Sequence, residues 1–473
     1  MTLTGRDREV VPRLAAVIGL LAGVEVASGV LQGYYTPIFS DIADDLRIAD
    51  GDVNWFEAAQ LIVSALLVPF LARLGDLVGH RKVLLISTAM TAVGSWVMAF
   101  APGFTTFLVG SALQGAYVVW LPLEIAIIYR RTAGSGQQAR LTRKAAALLV
   151  AALELGVIVG ALTSGALVEA TSMTVLLSLP ALVVTACFAV IWFGIERSPG
   201  TSSGGIDLRG LALVTLVLAL VMGGLVVVRL QGPGSLLAWS LVGLGLLAIV
   251  PLVQVESALE QPLIDVRLLA SRGQWPVQLT AFLFGASVLC AQIPLSTFAR
   301  SDPAVSGYGL GADASFVSTL IGLYVVALIV GALSLPLATR LLGPTGALVG
   351  GCALVAVGYA LWLPFHDTTG QVLANMAVVG IGSGVLVAAL PAAAAEAAPA
   401  DRTGFATGMT NATKTVGGAI ASAVFAIALT STGSIGDTGA GQAPLSGYLT
   451  VWAVCSGTAL LAGLSLLLTR RPT

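Results

Sequence analysis

The chain has 473 residues, of which 57% are hydrophobic and only 10% are charged, and its mean hydropathy is +0.94. A soluble domain carries about 25% charged residues, so this composition excludes a water-soluble globule and predicts a polytopic membrane protein in a lipid bilayer. The net charge of −1 gives no indication of a nucleic-acid partner.

Windows of about 20 apolar residues recur along the whole chain and predict about fourteen membrane-spanning helices. The first run lacks a small-residue cleavage site, so we expect it to be a retained helix rather than a signal peptide. In chain order the predicted helices cover residues 14–35, 55–73, 83–100, 104–127, 145–168, 174–195, 208–228, 236–255, 276–298, 315–335, 347–364, 372–394, 405–429 and 448–468.

Basic residues lie mostly on one side of this predicted topology. Of the 23 lysines and arginines, only Arg47, Arg229 and Arg300 fall on the opposite side, and Lys414 falls within a span. Because basic residues favour the cytoplasmic side, we expect both termini in the cytoplasm and a multi-pass protein of the cell membrane.

Residues with metal-binding or catalytic chemistry are few. The cysteines lie singly in apolar runs and the two histidines are far apart, which predicts neither a disulfide nor a metal site. These residues are Cys187, Cys290, Cys352, Cys455, His80 and His366. The sequence has no nucleophile–base constellation and no phosphate-binding loop, so we expect neither an enzyme nor a cofactor.

The segment ARLGDLVGHRK at 72–82 concentrates charge between the second and third predicted helices. Positive-inside charge explains the basic pair, but not an acid between two glycines. The segment resembles the signature of the major facilitator superfamily, Gly-x-x-x-Asp-x-x-Gly-Arg-Arg/Lys, with departures at Ala72 and His80. The resemblance implies a latch that holds the cytoplasmic side closed in the outward-facing state. Its expected residues are Gly75, Asp76, Gly79, Arg81 and Lys82.

Two further segments extend this resemblance. Gln114 and Gly115 match the Arg-x-x-Gln-Gly motif of helix 4, with Ser111 at the arginine position. In helix 5, GVIVGALTSG resembles the exporter motif Gly-x-x-x-Gly-Pro-x-x-Gly-Gly, with Ala161 in place of proline. A packing face of small residues, common in any membrane bundle, explains these glycines equally well. The matching glycines of helix 5 are Gly156, Gly160 and Gly165.

Later segments resemble the fourteen-helix drug:proton antiporter branch. The matching segments are 206–224, 256–272 and 402–424, the last including Asn411, Lys414, Gly417 and Gly418. The resemblance implies two six-helix bundles, at 1–200 and 258–473, around a central cavity, with two inserted helices at 201–257. It also implies proton-coupled efflux of amphipathic small molecules, such as drugs or secondary metabolites, by alternating access.

A proton-coupled carrier needs an ionisable group within the membrane, and a charge at the bilayer centre costs about 3 kcal/mol on insertion scales. Glu25, Glu154 and Glu124 lie within predicted spans and are our candidates for proton coupling. The resemblance places an acid of helix 1 at Ser28, one helical turn after Glu25. An internal ion pair is the alternative role for each glutamate, and we expect Glu57 to be interfacial.

Polar and aromatic side chains in otherwise apolar spans are candidates for lining a substrate cavity, where stacking and a few hydrogen bonds suit amphipathic molecules. Packing or lipid contact is an equally good explanation for any single aromatic. Lys414 could pair with an acid across the two halves or snorkel toward the cytoplasm. The candidates are Gln32, Tyr34, Gln60, Tyr117, Trp120, Gln278, Gln292, Tyr324, Asn375, Asn411 and Lys414.

The expected function is therefore proton-driven efflux by a monomer whose partners are a small-molecule substrate, protons and the bilayer. One alternative is a lipid or nutrient carrier of the same superfamily without proton coupling. Another is a membrane scaffold or sensor that has lost transport, which the replacements at Ser111 and Ala161 would favour.

Overall fold

The computed structural model describes residues 5–132, 137–196, 205–259, 262–399, 402–430 and 443–468. All regular secondary structure in these ranges is helical. A helix suits a chain in lipid because it pairs the backbone N–H and C=O groups with each other where no water is available to bind them. Thirteen of the described helices are long and apolar enough to cross a membrane, and one of them, Ala314–Leu361, is kinked into two arms that are numbered separately here. The spans are α1 (Ala15–Leu46), α2 (Asp50–Val78), α3 (His80–Ala99), α4 (Phe104–Arg131), α5 (Arg140–Leu167), α6 (Met173–Gly194), α7 (Leu208–Gln231), α8 (Leu236–Ala258), α9 (Trp275–Arg300), α10 (314–342), α11 (344–361), α12 (Thr369–Glu396), α13 (Phe405–Leu429) and α14 (Leu445–Leu468).

Helices α10 and α11 are the two arms of the segment Ala314–Leu361, which breaks at Gly343. The φ of Gly343 is 76°, a left-handed value that favours glycine, and proline follows directly. Both arms pack against α12, because Gly331 of α10 lies against Ile381 and Gly351 of α11 lies against Leu386. The segment therefore crosses twice, which confirms the prediction of about fourteen spans in an all-α membrane fold.

The N-terminal half, α1 to α6, and the C-terminal half, α9 to α14, contain matching helix crossings. Gly29 of α1 packs against the backbone of α5 at Leu153, and Gly285 of α9 packs against the backbone of α13 at Lys414. A Cβ at either glycine would overlap the facing carbonyl oxygen, so glycine is what permits this close approach. The division at 1–200, 201–257 and 258–473 stays a prediction, and its first boundary lies outside the described residues.

The inserted pair, α7 and α8, forms an antiparallel hairpin beside the seam between the halves. Met222 of α7 packs in one apolar cluster with Trp55 of α2 and Ala423 of α13. At the end of α7, Arg229 forms a buried ion pair with Asp52 at 3.3 Å. The hairpin therefore contacts both halves, and a charged pair fixes it to the start of α2.

The two halves meet at the end that the charge distribution predicts to be external. Four hydrogen bonds between described residues of the two halves lie there. Their donor and acceptor pairs are Ser296–Thr36 at 2.6 Å, Arg300–Asp41 at 2.6 Å, Ser318–Ala161 at 2.7 Å and Ser422–Asn54 at 2.8 Å. The protein is thus closed at its predicted external end.

Candidate functional site

Two of the three predicted coupling glutamates lie next to each other inside the N-terminal half. Glu25 of α1 and Glu124 of α4 are both fully buried, and their carboxyl groups are neighbours. Apart from this mutual contact, none of their four carboxyl oxygens has a hydrogen-bond partner among the described residues. The structure therefore unites two separate candidates in one carboxyl pair.

The chemistry of such a pair follows from burial and like charge. Two ionised carboxylates side by side in an apolar interior repel each other, and the residues that the structure describes supply neither with a basic partner to compensate its lost hydration. A single proton removes one charge and bridges the oxygens with a strong O–H···O⁻ hydrogen bond. The geometry of Glu25 and Glu124 is thus suited to holding a proton.

The helix 4 motif shapes α4 beside this pair. Residues Gly115–Val119 form a 3₁₀ stretch within the span, a feature that often marks functional positions. Gly115 lets α2 approach closely, and Ser64 of α2 donates a 2.7 Å hydrogen bond to the Gly115 carbonyl. The Gln114 amide donates to the Tyr35 and Ser95 hydroxyls, both at 2.9 Å. The motif therefore joins α4 to α1, α2 and α3.

Ser111 occupies the position at which the resemblance places an arginine. Its side chain is buried and donates a 3.0 Å hydrogen bond to the carbonyl of Phe107. The same hydroxyl lies 3.7 Å from the Met98 sulfur of α3. Serine therefore brings no charge to the helix 4 motif.

The third predicted glutamate, Glu154 of α5, lies at a separate place. It is partly buried and lies within electrostatic range of Lys414 of α13, in the other half. Lys414 is also partly buried, and its backbone is held against Gly285 of α9. The structure thus puts one acid and one base of opposite halves near each other, apart from the Glu25–Glu124 pair.

Glu57, which the sequence predicts to be interfacial, is half-buried. It lies in the first α-helical turn of α2, after the 3₁₀ turn Asp50–Val53, and its Oε2 atom is buried without a hydrogen-bond partner among the described residues. The hydroxyl of Tyr117, on the 3₁₀ stretch, lies within electrostatic range of Glu57 and of Glu25. The Cys290 thiol of the other half also lies within electrostatic range of Glu57, so this carboxyl group lies near the seam, and its interfacial role stays a prediction.

The gate motif between α2 and α3 makes its described polar contacts within the N-terminal half. Asp76 lies 3.3 Å from His80, and Arg81 donates to the carbonyl oxygen of Trp192 at 2.6 Å. Gly79 joins the two helices with a φ of 103°, a conformation that favours glycine. A Cβ atom at Gly75 would lie only 3.1 Å from the His80 ring, so there is little room for a side chain at this position. Neither Asp76 nor Arg81 bridges the halves in this closed-outside form, and Lys82 is exposed.

The helix 5 glycines divide between two interfaces. Gly156 and Gly160 lie against the backbone of α1 at Val26 and Val30. Gly165 lies against α10 of the other half, where the Ser318 hydroxyl and the Ala314 backbone leave no room for a side chain. The same motif therefore packs the N-terminal half and closes the predicted external end.

Three of the predicted cavity residues make polar contacts within their own half, and their role in a substrate cavity stays a prediction. Tyr34 donates to the Leu176 carbonyl, Asn375 donates to the Phe365 carbonyl, and Gln278 accepts from Thr413, each within its own half. Buried aromatics with packing partners are Tyr117, Trp120 and Tyr324. Side chains with solvent- or lipid-accessible area are Gln32, Gln60, Gln292, Asn411 and Lys414.

Comparison with known proteins agrees with the fold. The family model described as Major Facilitator Superfamily matches residues 21–422, which run from α1 into α13. The chain belongs to the major facilitator superfamily. Its members are transporters rather than enzymes, so the superfamily membership establishes this chain as a multi-pass membrane transporter of small molecules.

Individual relatives within the superfamily carry different substrate names. The chain is 28% identical to the cephamycin export protein CmcT of Amycolatopsis lactamdurans, over 84% of this chain and 81% of that one. It is 25% identical to a uridine/deoxyuridine transporter of Lactococcus lactis, over 69% of each. A solved structure of an auto-inhibited POT family peptide transporter matches with a TM-score of 0.67 at 15% identity, covering 97% of this chain and 98% of that one.

Proposed function

We propose that this transporter exports amphipathic small molecules in exchange for protons. The observation that carries the proposal is the Glu25–Glu124 pair, which is buried in the N-terminal half with no basic partner within the described part of the chain. Retaining two acids at this depth costs several kcal/mol unless protonation neutralises one of them. A reversible proton at this pair would give the transporter a coupling site.

Coupling follows if proton and substrate favour opposite conformations. With one proton on the pair, the core of the N-terminal half carries one negative charge instead of two, and the closed-outside form described above is stable. Release of the proton to the cytoplasm leaves two like charges side by side, and relief of their repulsion drives the change of conformation. Differential stabilisation of two conformations is all that such a mechanism requires.

The direction of transport is supported by the motif of α5 and by one relative. Gly165 packs against Ser318 at the predicted external end, and the resembling motif belongs to exporters. The relative named as a cephamycin exporter aligns over most of both chains. We place the transporter in the cell membrane as a monomer, with both termini and the gate motif of Asp76 and Arg81 on the cytoplasmic side.

The test is dye accumulation in a bacterial host that lacks its own pumps. Wild type, Glu25→Gln and Glu169→Gln are compared at matched expression, with and without a protonophore. Glu169 is an exposed acid on the loop after α5 and serves as the control. We expect lower accumulation of a lipophilic cationic dye in wild type and Glu169→Gln, abolished by the protonophore and by Glu25→Gln.

A nucleoside carrier is the second candidate, favoured by the similarity to the uridine/deoxyuridine transporter. Uptake of radiolabelled uridine in the same host separates the two functions. Uridine uptake by wild type, with no effect on dye accumulation, would replace export by import as the function. Export of the dye without uridine uptake would support the first proposal.

A further inference from the structure

The start of α7 and the end of α8 meet at the end of the inserted hairpin that the charge distribution predicts to be cytoplasmic. Asp207 directly precedes α7, and its Oδ1 atom accepts a 2.9 Å hydrogen bond from the Gly210 amide. Glu256 lies in the last turn of α8 and is only 1% exposed. Its Oε2 atom accepts a 3.1 Å hydrogen bond from the Ile264 amide, in the connection between α8 and α9. Each acid thus satisfies one of its two carboxyl oxygens with a backbone N–H group.

The second oxygens of these two acids converge over the backbone of Gly210. A Cβ atom at Gly210 would lie 2.1 Å from Glu256 Oε1 and 2.4 Å from Asp207 Oδ2. Both oxygens are buried, and neither has a hydrogen-bond partner within the described ranges. Glycine therefore leaves a space that two acceptor atoms share without a donor between them.

The basic groups on the surrounding elements are directed to other partners or to the surface. Arg267, in the connection to α9, donates a 2.6 Å hydrogen bond to the carbonyl oxygen of Ser257. Arg402, between α12 and α13, pairs with Asp265 of the same connection. Arg209 of α7 is exposed. The nearest acid outside the pair thus has its own cation, whereas the pair over Gly210 has none in the part of the chain that the structure describes.

A proton fits this space better than a metal ion. Magnesium and calcium take about six or more oxygen ligands, whereas only Glu256 Oε1 and Asp207 Oδ2 are left without a donor here. The described residues also contain no group of three or more acids, histidines or cysteines that could hold a metal. One hydrogen between the two oxygens would form a short O–H···O⁻ bond and remove one of two like charges.

We propose that Asp207 and Glu256 form a second proton-binding site, which fastens the cytoplasmic end of the inserted hairpin to the connection into the C-terminal half. A proton from cytoplasmic water forms an O–H bond on Glu256 Oε1 and is donated to Asp207 Oδ2. Glu256 Oε2 then holds the Ile264 amide, and the adjacent Asp265 joins the connection to Arg402. Loss of the proton to water leaves two repelling carboxylates, and the half-buried Asp207 turns toward solvent. This inference does not depend on the transported substrate or on proton coupling.

The experiment is hydrogen–deuterium exchange of the purified protein in detergent, followed by mass spectrometry over a range of pH. Rates are corrected for the intrinsic pH dependence of amide exchange, and the peptides that contain the Gly210 and Ile264 amides are compared. In wild type we expect corrected exchange of both peptides to slow several-fold as the pH falls and the pair takes up its proton. Glu396→Gln, which changes an exposed acid at the end of α12, should behave as wild type.

Two carboxamide variants supply the missing donor permanently. In Glu256→Gln and Asp207→Asn, the new NH₂ group can donate to the remaining carboxylate while the amide oxygen still accepts the backbone N–H. We expect both variants to show the slow exchange of acidic wild type at every pH. Gly210→Ala places a methyl group where the two oxygens meet, so we expect fast exchange at every pH.

The results distinguish this site from the proposed coupling pair. Glu25→Gln should keep the wild-type response, whatever its effect on transport. Exchange of wild type that does not change with pH would overturn the inference, as would a wild-type pH response in Glu256→Gln. Slow exchange restored at alkaline pH by magnesium or calcium chloride would show that the pair binds a cation, and would overturn the assignment to a proton.

Discussion

Glu25 and Glu124 illustrate how two residues acquire a property that neither has alone. Each would be a single costly charge in its own helix, but side by side they can share one proton. Removing the proton-binding capacity of either should therefore remove that of the pair. The energetic signature of such a unit is non-additivity between substitutions.

We predict that Glu25→Gln and Glu124→Gln each reduce proton-driven export by at least tenfold, and that the double variant is no worse than either single one. The physical reason is that the second substitution removes a group already unable to act. Initial export rates at matched protein amounts measure the effect. Multiplying defects in the double variant would show that the two glutamates act independently.

A second residue pair belongs to the inserted hairpin. Arg229 and Asp52 are both buried, and the loss of one removes the opposite charge that offsets the burial of the other. We predict that Arg229→Met lowers the free energy of unfolding by about 3–5 kcal/mol, the usual cost of breaking a buried pair. Thermal unfolding of the purified protein in detergent measures this loss.

Two variants control the Arg229 experiment. Arg209→Met changes an exposed arginine on the same helix and should leave the unfolding temperature nearly unchanged. Arg229→Met combined with Asp52→Leu removes both charges and should recover most of the stability. A double variant as unstable as Arg229→Met would show that packing, rather than charge, holds the hairpin to α2.

At the scale of elements, the crossing of α1 and α5 determines how closely the N-terminal half packs. Gly29 and Gly33 of α1 face the backbone of α5, while Gly19 and Gly23 of the same helix face open space. The same helix thus contains two glycines in close contact with a neighbouring helix and two that can serve as their controls. Packing, and not helix propensity, distinguishes the two pairs.

We predict that Gly29→Ala lowers the unfolding temperature and the yield of folded protein, because its methyl group overlaps the Leu153 carbonyl. Gly23→Ala should be neutral or slightly stabilising, since alanine is the better helix former. Parallel melting curves of the two variants provide the comparison. Equal effects of both substitutions would contradict the close crossing.

The helices were easier to predict from the sequence than the contacts between them. Hydropathy predicts each span because burial in lipid depends on local composition, and the break at Gly343 still falls between two predicted helices. The gate motif was predictable because its residues are consecutive. The contact of Glu25 with Glu124 depends on packing between distant helices, which a pattern along one chain does not encode.

At the scale of the whole molecule, the structure shows one of the two conformations that alternating access requires. Its predicted external end is closed, and the contacts of its gate motif lie within one half. Locking the closed end should stop the cycle. Ser296 of α9 contacts the Thr36 backbone, so cysteines at these two positions are near enough to join. The four native cysteines are all buried.

We predict that oxidation of Thr36→Cys/Ser296→Cys abolishes transport and that a reductant restores it. Each single cysteine variant, treated with the same oxidant, should transport normally. Export rates before and after reduction are the measurement. Undiminished transport by the fully cross-linked protein would mean that the halves do not separate at this end.

The most direct test of proton-driven export is proton movement by the purified protein in liposomes that contain a fluorescent pH indicator. An exported dye is added on one side at equal pH, without any other energy source. We predict that dye entry moves protons in the opposite direction for wild type and Glu169→Gln, and moves none for Glu25→Gln. Dye transport by wild type without any proton movement would contradict the proposed coupling.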